Sequence, residues 1–144
     1  MDMDIIIKTL NKFLKGIHMG ITGFNRFIDK LPPSNVKETF ISIRDDQTKH
    51  ATLIAERIRE LGGTPVEDEG VFGKITGTLS STFKSLNTEE KIIKEAIKGE
   101  NIYGIRMSEE IVRDKLDEES LKLVRLILDQ DRDHVDRLKS LLHS

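Results

Sequence analysis

The chain has no cysteine, no tryptophan and only three prolines in 144 residues, and 5% of it is aromatic. Without cysteine there can be no disulfide, no iron–sulfur cluster and no thiolate zinc site. Lys and Arg total 23 against 25 Asp and Glu, so the net charge is −2 and there is no basic footprint for nucleic acid. Long apolar runs are missing as well. Ile5-Ile6-Ile7 is followed at once by Lys8, too short for a secretory leader and far too short to span a bilayer. These absences predict a cytoplasmic, soluble protein that engages neither membrane nor nucleic acid. The length predicts a single domain over residues 1–144 with a proper core. What the chain has in plenty is Ile, Leu, Lys and Glu, a composition that points to helices.

Apolar periodicity divides the chain. The first helix, capped by Asp2 or Asp4, carries the seam Ile7, Leu10, Leu14, Ile17, Ile21, Phe24, Ile28, Leu31, an unbroken alternation of three and four. Ile6, Phe13 and Phe27 widen this stripe, and Asn11, His18 and Asn25 form a polar flank. Pro32-Pro33 ends the helix, and Ser34 caps the next. So short a connection makes the first two helices antiparallel neighbours. The second helix, Val36 to Leu61, stops at Gly62-Gly63-Thr64-Pro65. A long crossover follows, with the acidic run Glu67-Asp68-Glu69, which predicts mobility from Gly62 to Gly70. Phe72, Ile75, Leu79, Phe83 and Leu86 keep a helical spacing inside it. A phosphate-cradling loop at Gly70, Gly73 and Lys74 fails on spacing, because Ile75 stands where such a loop needs Ser or Thr. The third helix starts at Asn87 or Thr88 and fades near Lys115; the fourth starts at Asp117.

Each of the last three seams breaks in its middle. The second helix reads Val36, Phe40, Ile43, then Gln47 and His50, then Ile54. The third has Glu100 on its stripe, and the fourth has Asp131 with His134 one turn on. At about 1.5 Å per residue, His18 and His50 each lie roughly 20 Å from the tight first connection. They are therefore level across the antiparallel pair. Glu100, Asp131 and His134 are levelled by the short connection between the third and fourth helices. The sequence thus predicts one polar layer of His18, Gln47, His50, Glu100, Asp131 and His134. Polar groups buried in such a layer must find partners or bind something.

This layout resembles the carboxylate-bridged di-iron bundles, in which two helices each give a Glu and the other two each give a Glu-x-x-His pair. With its long crossover between helices 2 and 3, the chain is similar to the ferritin-like superfamily of all-α four-helix bundles. More closely, it is similar to a bacterial ferritin-like family of unassigned function, on Leu61-Gly-Gly-Thr-Pro65 and Gly99-Glu100. The resemblance spans nearly the whole chain and implies a metal site in the bundle core. It also shows departures. The superfamily's first-helix Glu would fall at His18, its second-helix Glu at Gln47 and its fourth-helix Glu at Asp131, leaving Glu100 unchanged. Two carboxylates no longer balance two ferrous ions at low dielectric. One divalent ion, iron or zinc, held by imidazole and carboxylate suits the set better. Beside that stands a metal-free reading, a structural or protein-interaction bundle that retains a buried hydrogen-bonded layer.

The remaining candidates have plain readings. Asp46, four residues before His50, could chelate with it, but falls off the seam and reads as a solvated neighbour. Tyr103 reads as a core tyrosine with its hydroxyl satisfied, and Met107 as packing. The widened stripe of Ile6, Phe13 and Phe27 exceeds what one bundle needs and predicts a homodimer formed through the first helix.

Overall fold

A computed structural model describes residues 2–68 and 84–143 of the chain. α1 spans Met3–Lys30 and begins at Asp2, whose carboxylate accepts from the Asp4 amide at 2.9 Å. α2 spans Asn35–Glu60 and begins at Ser34, whose hydroxyl accepts from the Lys37 amide. The two lie antiparallel across the Leu31–Ser34 connection. α2 ends in paired bonds, Gly63 N–H to the Ile58 carbonyl and Gly62 N–H to the Arg59 carbonyl, both 2.9 Å. That closure needs a left-handed residue, and Gly62 supplies it at φ 88°. Gly63 is required for a different reason: a methyl group there would stand 2.6 Å from Ile7 Cγ2.

α3 (Glu89–Gly99) is capped by Thr88 and runs without a break into a π-helical segment, Glu100–Arg106, and then α4 (Met107–Val112). Together these form the third rod. It stops at Asp114, which takes a left-handed φ of 57°, a conformation that Asp tolerates better than most residues. α5 (Glu118–Leu141) starts at Asp117, whose carboxylate accepts from the Ser120 amide. Among the described residues there are four helical rods and no strand, and the long crossover separates the second rod from the third. The amphipathic turn expected at Phe72, Ile75, Leu79 and Phe83, and the glycines around Lys74, lie outside the described residues. Leu86, the last of that series, is described and buried.

The apolar core falls into two clusters. One gathers Leu10, Phe13, Leu14, Ile54, Ile58, Val124 and Ile127. The other gathers Phe24, Phe27, Phe40, Ile43, Ile93 and Leu138. In the second cluster Phe24, Phe27 and Phe40 form a triangle with centroids 5.3–5.9 Å apart and two edge-to-face contacts, the arrangement that ring quadrupoles favour. Phe40 is wholly buried, and truncating such a side chain costs about 3–5 kcal/mol. Along α2 the division falls between Ile43 and Ile54, and along α5 between Leu128 and Leu138. The polar residues occupy that level.

Two expectations change here. Ile6, Phe13 and Phe27 are 2%, 1% and 7% exposed, so they belong to this chain's own core and leave no surplus stripe for a dimer through α1. A four-rod bundle closes on α1 from two sides, which a narrow a/d seam would not fill. The polar flank of α1 has its own task. The Asn11 side chain donates to the Thr64 carbonyl at 3.0 Å and accepts from the Val66 amide at 2.9 Å. Thr64 and Val66, at the head of the segment predicted to be mobile, are thus held to α1; Glu69 and Gly70 at its far end lie outside the described residues. At the same end of α2, Arg57 binds Asp117 at 2.9 Å and the Ser120 hydroxyl at 3.0 Å, fastening α2 to the start of α5. Burial disfavours its charge, but Glu60, Asp117 and Glu119 outweigh that and raise the Arg57 pKa; Asp117 is lowered despite its own burial, by Ser120 and Arg57.

Candidate metal centre

Gln47 and His50 lie one turn apart on the inner face of α2, and Asp131 and His134 do the same on α5. Glu100 opens the π segment of the third rod. All five are buried, at 2–8% exposure. The Gln47 amide donates to Glu100 Oε1 at 2.8 Å. Two glycines make room for this pair. A methyl group at Gly20 would be 3.3 Å from Gln47 Nε2, and one at Gly104 would be 3.2 Å from Glu100 Oε2. Single-turn π segments recur where function displaces a helical register, and this one sets a glycine against the Glu100 carboxyl.

The two imidazoles are each held from outside. His134 Nε2 lies 2.9 Å from Asp46 Oδ2, and His50 Nε2 bonds Gln130 Oε1. A carboxylate and an amide oxygen only accept, so both Nε2 atoms donate. In the neutral ring this leaves each Nδ1 as a bare lone pair. Both Nδ1 atoms face Asp131 Oδ1, at 3.6 Å from His134 and 3.9 Å from His50. These distances exceed a hydrogen bond, so the contact is an electrostatic approach. The rings stand 6.1 Å apart, 25° from parallel. Three buried atoms in this layer have no hydrogen-bond partner among the described residues: His134 Nδ1, Glu100 Oε2 and Gln47 Oε1.

Electrostatics follow from the crowding of acids. Burial, reinforced by Asp131, pushes the Glu100 pKa up to about 8, with His134 and Gln47 opposing only in part. Burial works against a charge on His134, but Asp131, Asp46 and Glu100 outweigh it and its pKa is raised. A layer in which a carboxyl retains its proton and an imidazole gains affinity for one is short of positive charge. One carboxylate oxygen each from Glu100 and Asp131 and one His134 nitrogen lie within 4.8 Å of one another. With the bare Nδ1 of His50 beside them, this donor set fits one divalent cation, which would neutralise the acids and engage the orphaned atoms. It does not fit two, because among the described residues the layer holds only two buried carboxylates, Glu100 and Asp131, too few to balance two divalent ions at low dielectric.

The structure therefore brings Gln47, His50, Glu100, Asp131 and His134 together, and leaves His18 apart. His18 Nε2 lies 3.3 Å from the Val66 carbonyl. The height of His18 along α1 matches the layer, but its direction does not. Two residues correspond to about 200° around a helix, and it is Gly20 that faces Gln47. Three other expectations change. Asp46 is partnered, with His134 across the bundle and not with His50 on its own helix. Tyr103 is 47% exposed and Met107 42%, because Gly104 takes the inward position on that turn. Gln130 was invisible as a partner, since it neighbours Asp131 and lies off the seam. The row Gly16, Gly20, Gly23 was readable as one helical face.

A bundle of four helices with a long crossover and a buried carboxylate–imidazole layer defines the ferritin-like class. A solved structure of the same fold is a dodecameric thioferritin, the bacterioferritin-related protein from Bacteroides fragilis. It aligns at a TM-score of 0.74 over 99% of this chain and 87% of that one, with 19% sequence identity. Residues 5–114 match the family described as Domain of unknown function (DUF2383), and the chain belongs to that family. A search of curated proteins finds no match. Among the described residues no helix is long and apolar enough to cross a membrane.

Proposed function

We propose that this protein binds one divalent transition-metal ion, iron or zinc, in the bundle core and sequesters it from solvent. Glu100, Asp131 and His134 would hold the ion, with His50 as a further imidazole and Gln47 orienting Glu100. The observation that carries this reading is the pairing of a buried, partnerless His134 Nδ1 with an Nε2 fixed by Asp46. Metal-ligating histidines are characteristically held through their second nitrogen by a carboxylate or carbonyl, and His50 is held the same way by Gln130. Imidazole with carboxylate suits iron and zinc. When bound, the ion would supply positive charge and Lewis acidity to the layer. The protein's own part is to turn both Nδ1 atoms toward Asp131 by holding each Nε2 from outside, and to exclude water.

Elemental analysis of protein purified without chelator tests this directly. The expected result is close to one iron or zinc per chain, and a melting temperature that rises when metal is restored to chelator-treated protein. A chain free of metal as purified, whose melting is indifferent to iron and zinc, would establish the metal-free structural or protein-interaction bundle. Self-association is part of the proposal. The structural relative is by its title a dodecamer, and the exposed Leu53 on α2 and Leu126 on α5 give a homo-oligomer, a dimer at least, an apolar contact away from α1. Sedimentation at high concentration should show it; a monomer there removes that part.

A further inference from the structure

A mostly apolar cavity of about 180 Å³ lies between α1 and the third rod and reaches across the bundle to His50 of α2 and Asp131 of α5. Gln47 and Glu100 border it as well, but their unpartnered oxygens are closed off within the packing. Asp131 is different. It sits on the inner face of α5, its side chain keeps 12% exposure, and it lines this cavity. Its Oδ1 stands 3.6 Å from His134 Nδ1 and 3.9 Å from His50 Nδ1, beyond hydrogen-bonding distance of both. A carboxylate so deeply buried, bordering an apolar space and bonded to neither imidazole, is a group that a ligand would complete. The α1 side of the cavity offers no donor. Its wall there is the row Gly16, Gly20 and Gly23, and a methyl group at Gly16 or Gly23 would meet nothing within 4 Å among the described residues. Glycine inside a helix is destabilising relative to alanine, and packing gives no reason for it at those two positions.

We propose that an ion held in the polar layer keeps one coordination position open toward α1, and that a compact, uncharged, largely apolar molecule takes that position through a single donor atom, with its body in the glycine-walled cavity. The inference rests on the metal reading and names the class of ligand that such a centre would accept. The candidate ligands His50, Glu100, Asp131 and His134 come from α2, the third rod and α5. None comes from α1, where Gly20 faces the layer, so the side without a protein donor is the side of the cavity. Metal centres that act on small molecules keep such a position free of protein ligands. The size of the ligand follows from the space: an apolar cavity of about 150 Å³ holds benzene, so a single six-membered ring fits. Its charge follows from the donors. Ionised Glu100 and Asp131 already balance a dication, and an anion would add uncompensated charge in a mostly apolar space. A cation would be repelled by the ion itself.

The test loads chelator-treated full-length protein with cobalt(II), whose visible bands report a change of ligand, and titrates it with pyridine, isonicotinate and azide. Pyridine is a neutral ring with one donor atom, isonicotinate is the same ring carrying a carboxylate, and azide is a small anion. Pyridine should shift the bands and bind at least tenfold more tightly than either of the others. Gly16→Leu and Gly23→Leu, made singly, each put a side chain into the cavity from a position with open space. At least one of them should weaken pyridine binding tenfold while cobalt is still taken up; should neither variant fold, the three-probe comparison decides. Bands that pyridine leaves unchanged, equal or tighter binding of either anion, or unimpaired pyridine binding by both variants would overturn the proposal. Protein that takes up no cobalt, iron or zinc ends the metal reading and this inference with it. Protein that binds cobalt and is indifferent to pyridine ends this inference alone.

Discussion

Replacing Glu100 with Gln preserves the shape of the buried side chain while removing its charge, its proton and its strength as a cation ligand. In the folded chain the Glu100 pKa is pushed up to about 8, against 4.5 for the free group. Between those two values the unfolded chain has released a proton that the folded chain retains. Stability must therefore fall as pH rises from about 4.5 to about 8 and level off above that. At about 1.4 kcal/mol per tenfold change in proton affinity, the upper bound is about 5 kcal/mol. His134 lies in the same cluster and its own affinity for a proton depends on the Glu100 charge, which spreads the loss and leaves about 2–3 kcal/mol. The raised pKa of His134 acts in the same direction: its stabilisation is complete below the unfolded value and disappears as pH rises through the folded one. An amide at position 100 does not titrate and can still accept from Gln47. Urea unfolding of chelator-treated protein from pH 5 to 8.5 should show the wild type losing stability and Glu100→Gln losing markedly less, the remainder coming from His134, which keeps Asp131 and Asp46. The variant should be the more stable by about 1–3 kcal/mol at pH 8, and metal should no longer raise its melting temperature. Parallel pH profiles for the two proteins would refute the reasoning, because they would mean that Glu100 is already ionised in the folded core.

Two further outcomes follow from the surrounding contacts. Asp46→Ala removes the acceptor that fixes His134 through Nε2. It should weaken metal binding by about 10- to 100-fold with little change in metal-free melting; unchanged affinity in a chelator-competition titration would show that Asp46 is a bystander. Arg57→Ala deprives the wholly buried Ser120 and the helix cap Asp117 of their partner. It should destabilise the chain by about 1–3 kcal/mol in urea, and a change below about 0.5 kcal/mol would reduce that cluster to a surface pair.

The sequence by itself determined the rods and their order. Asp2, Ser34, Thr88 and Asp117 cap, Pro32 and Gly62 stop, and each of these effects is local to a few residues of backbone. The uninterrupted seam of α1 and the interrupted seams of the other rods announced a bundle with a polar level, and helical rise alone put Gln47, His50, Glu100, Asp131 and His134 at that level. Rise says nothing about rotation between helices. Only the packed bundle decided that Gly20 and not His18 turns inward, that Asp46 reaches His134 across the bundle and not His50 along its own helix, and that Ile6, Phe13 and Phe27 are core and not interface. The π segment after Gly99 was equally unreadable, since a helical stripe drawn at 3.6 residues per turn carries Tyr103 and Gly104 as near equals, and the turn that buries one exposes the other. Which nitrogen of each imidazole is free was decided by Gln130 and Asp46, side chains off the seam. Periodicity in a sequence reports the contacts of one helix with an average interior. A site is made by the relative rotation of several helices, which their packing sets together.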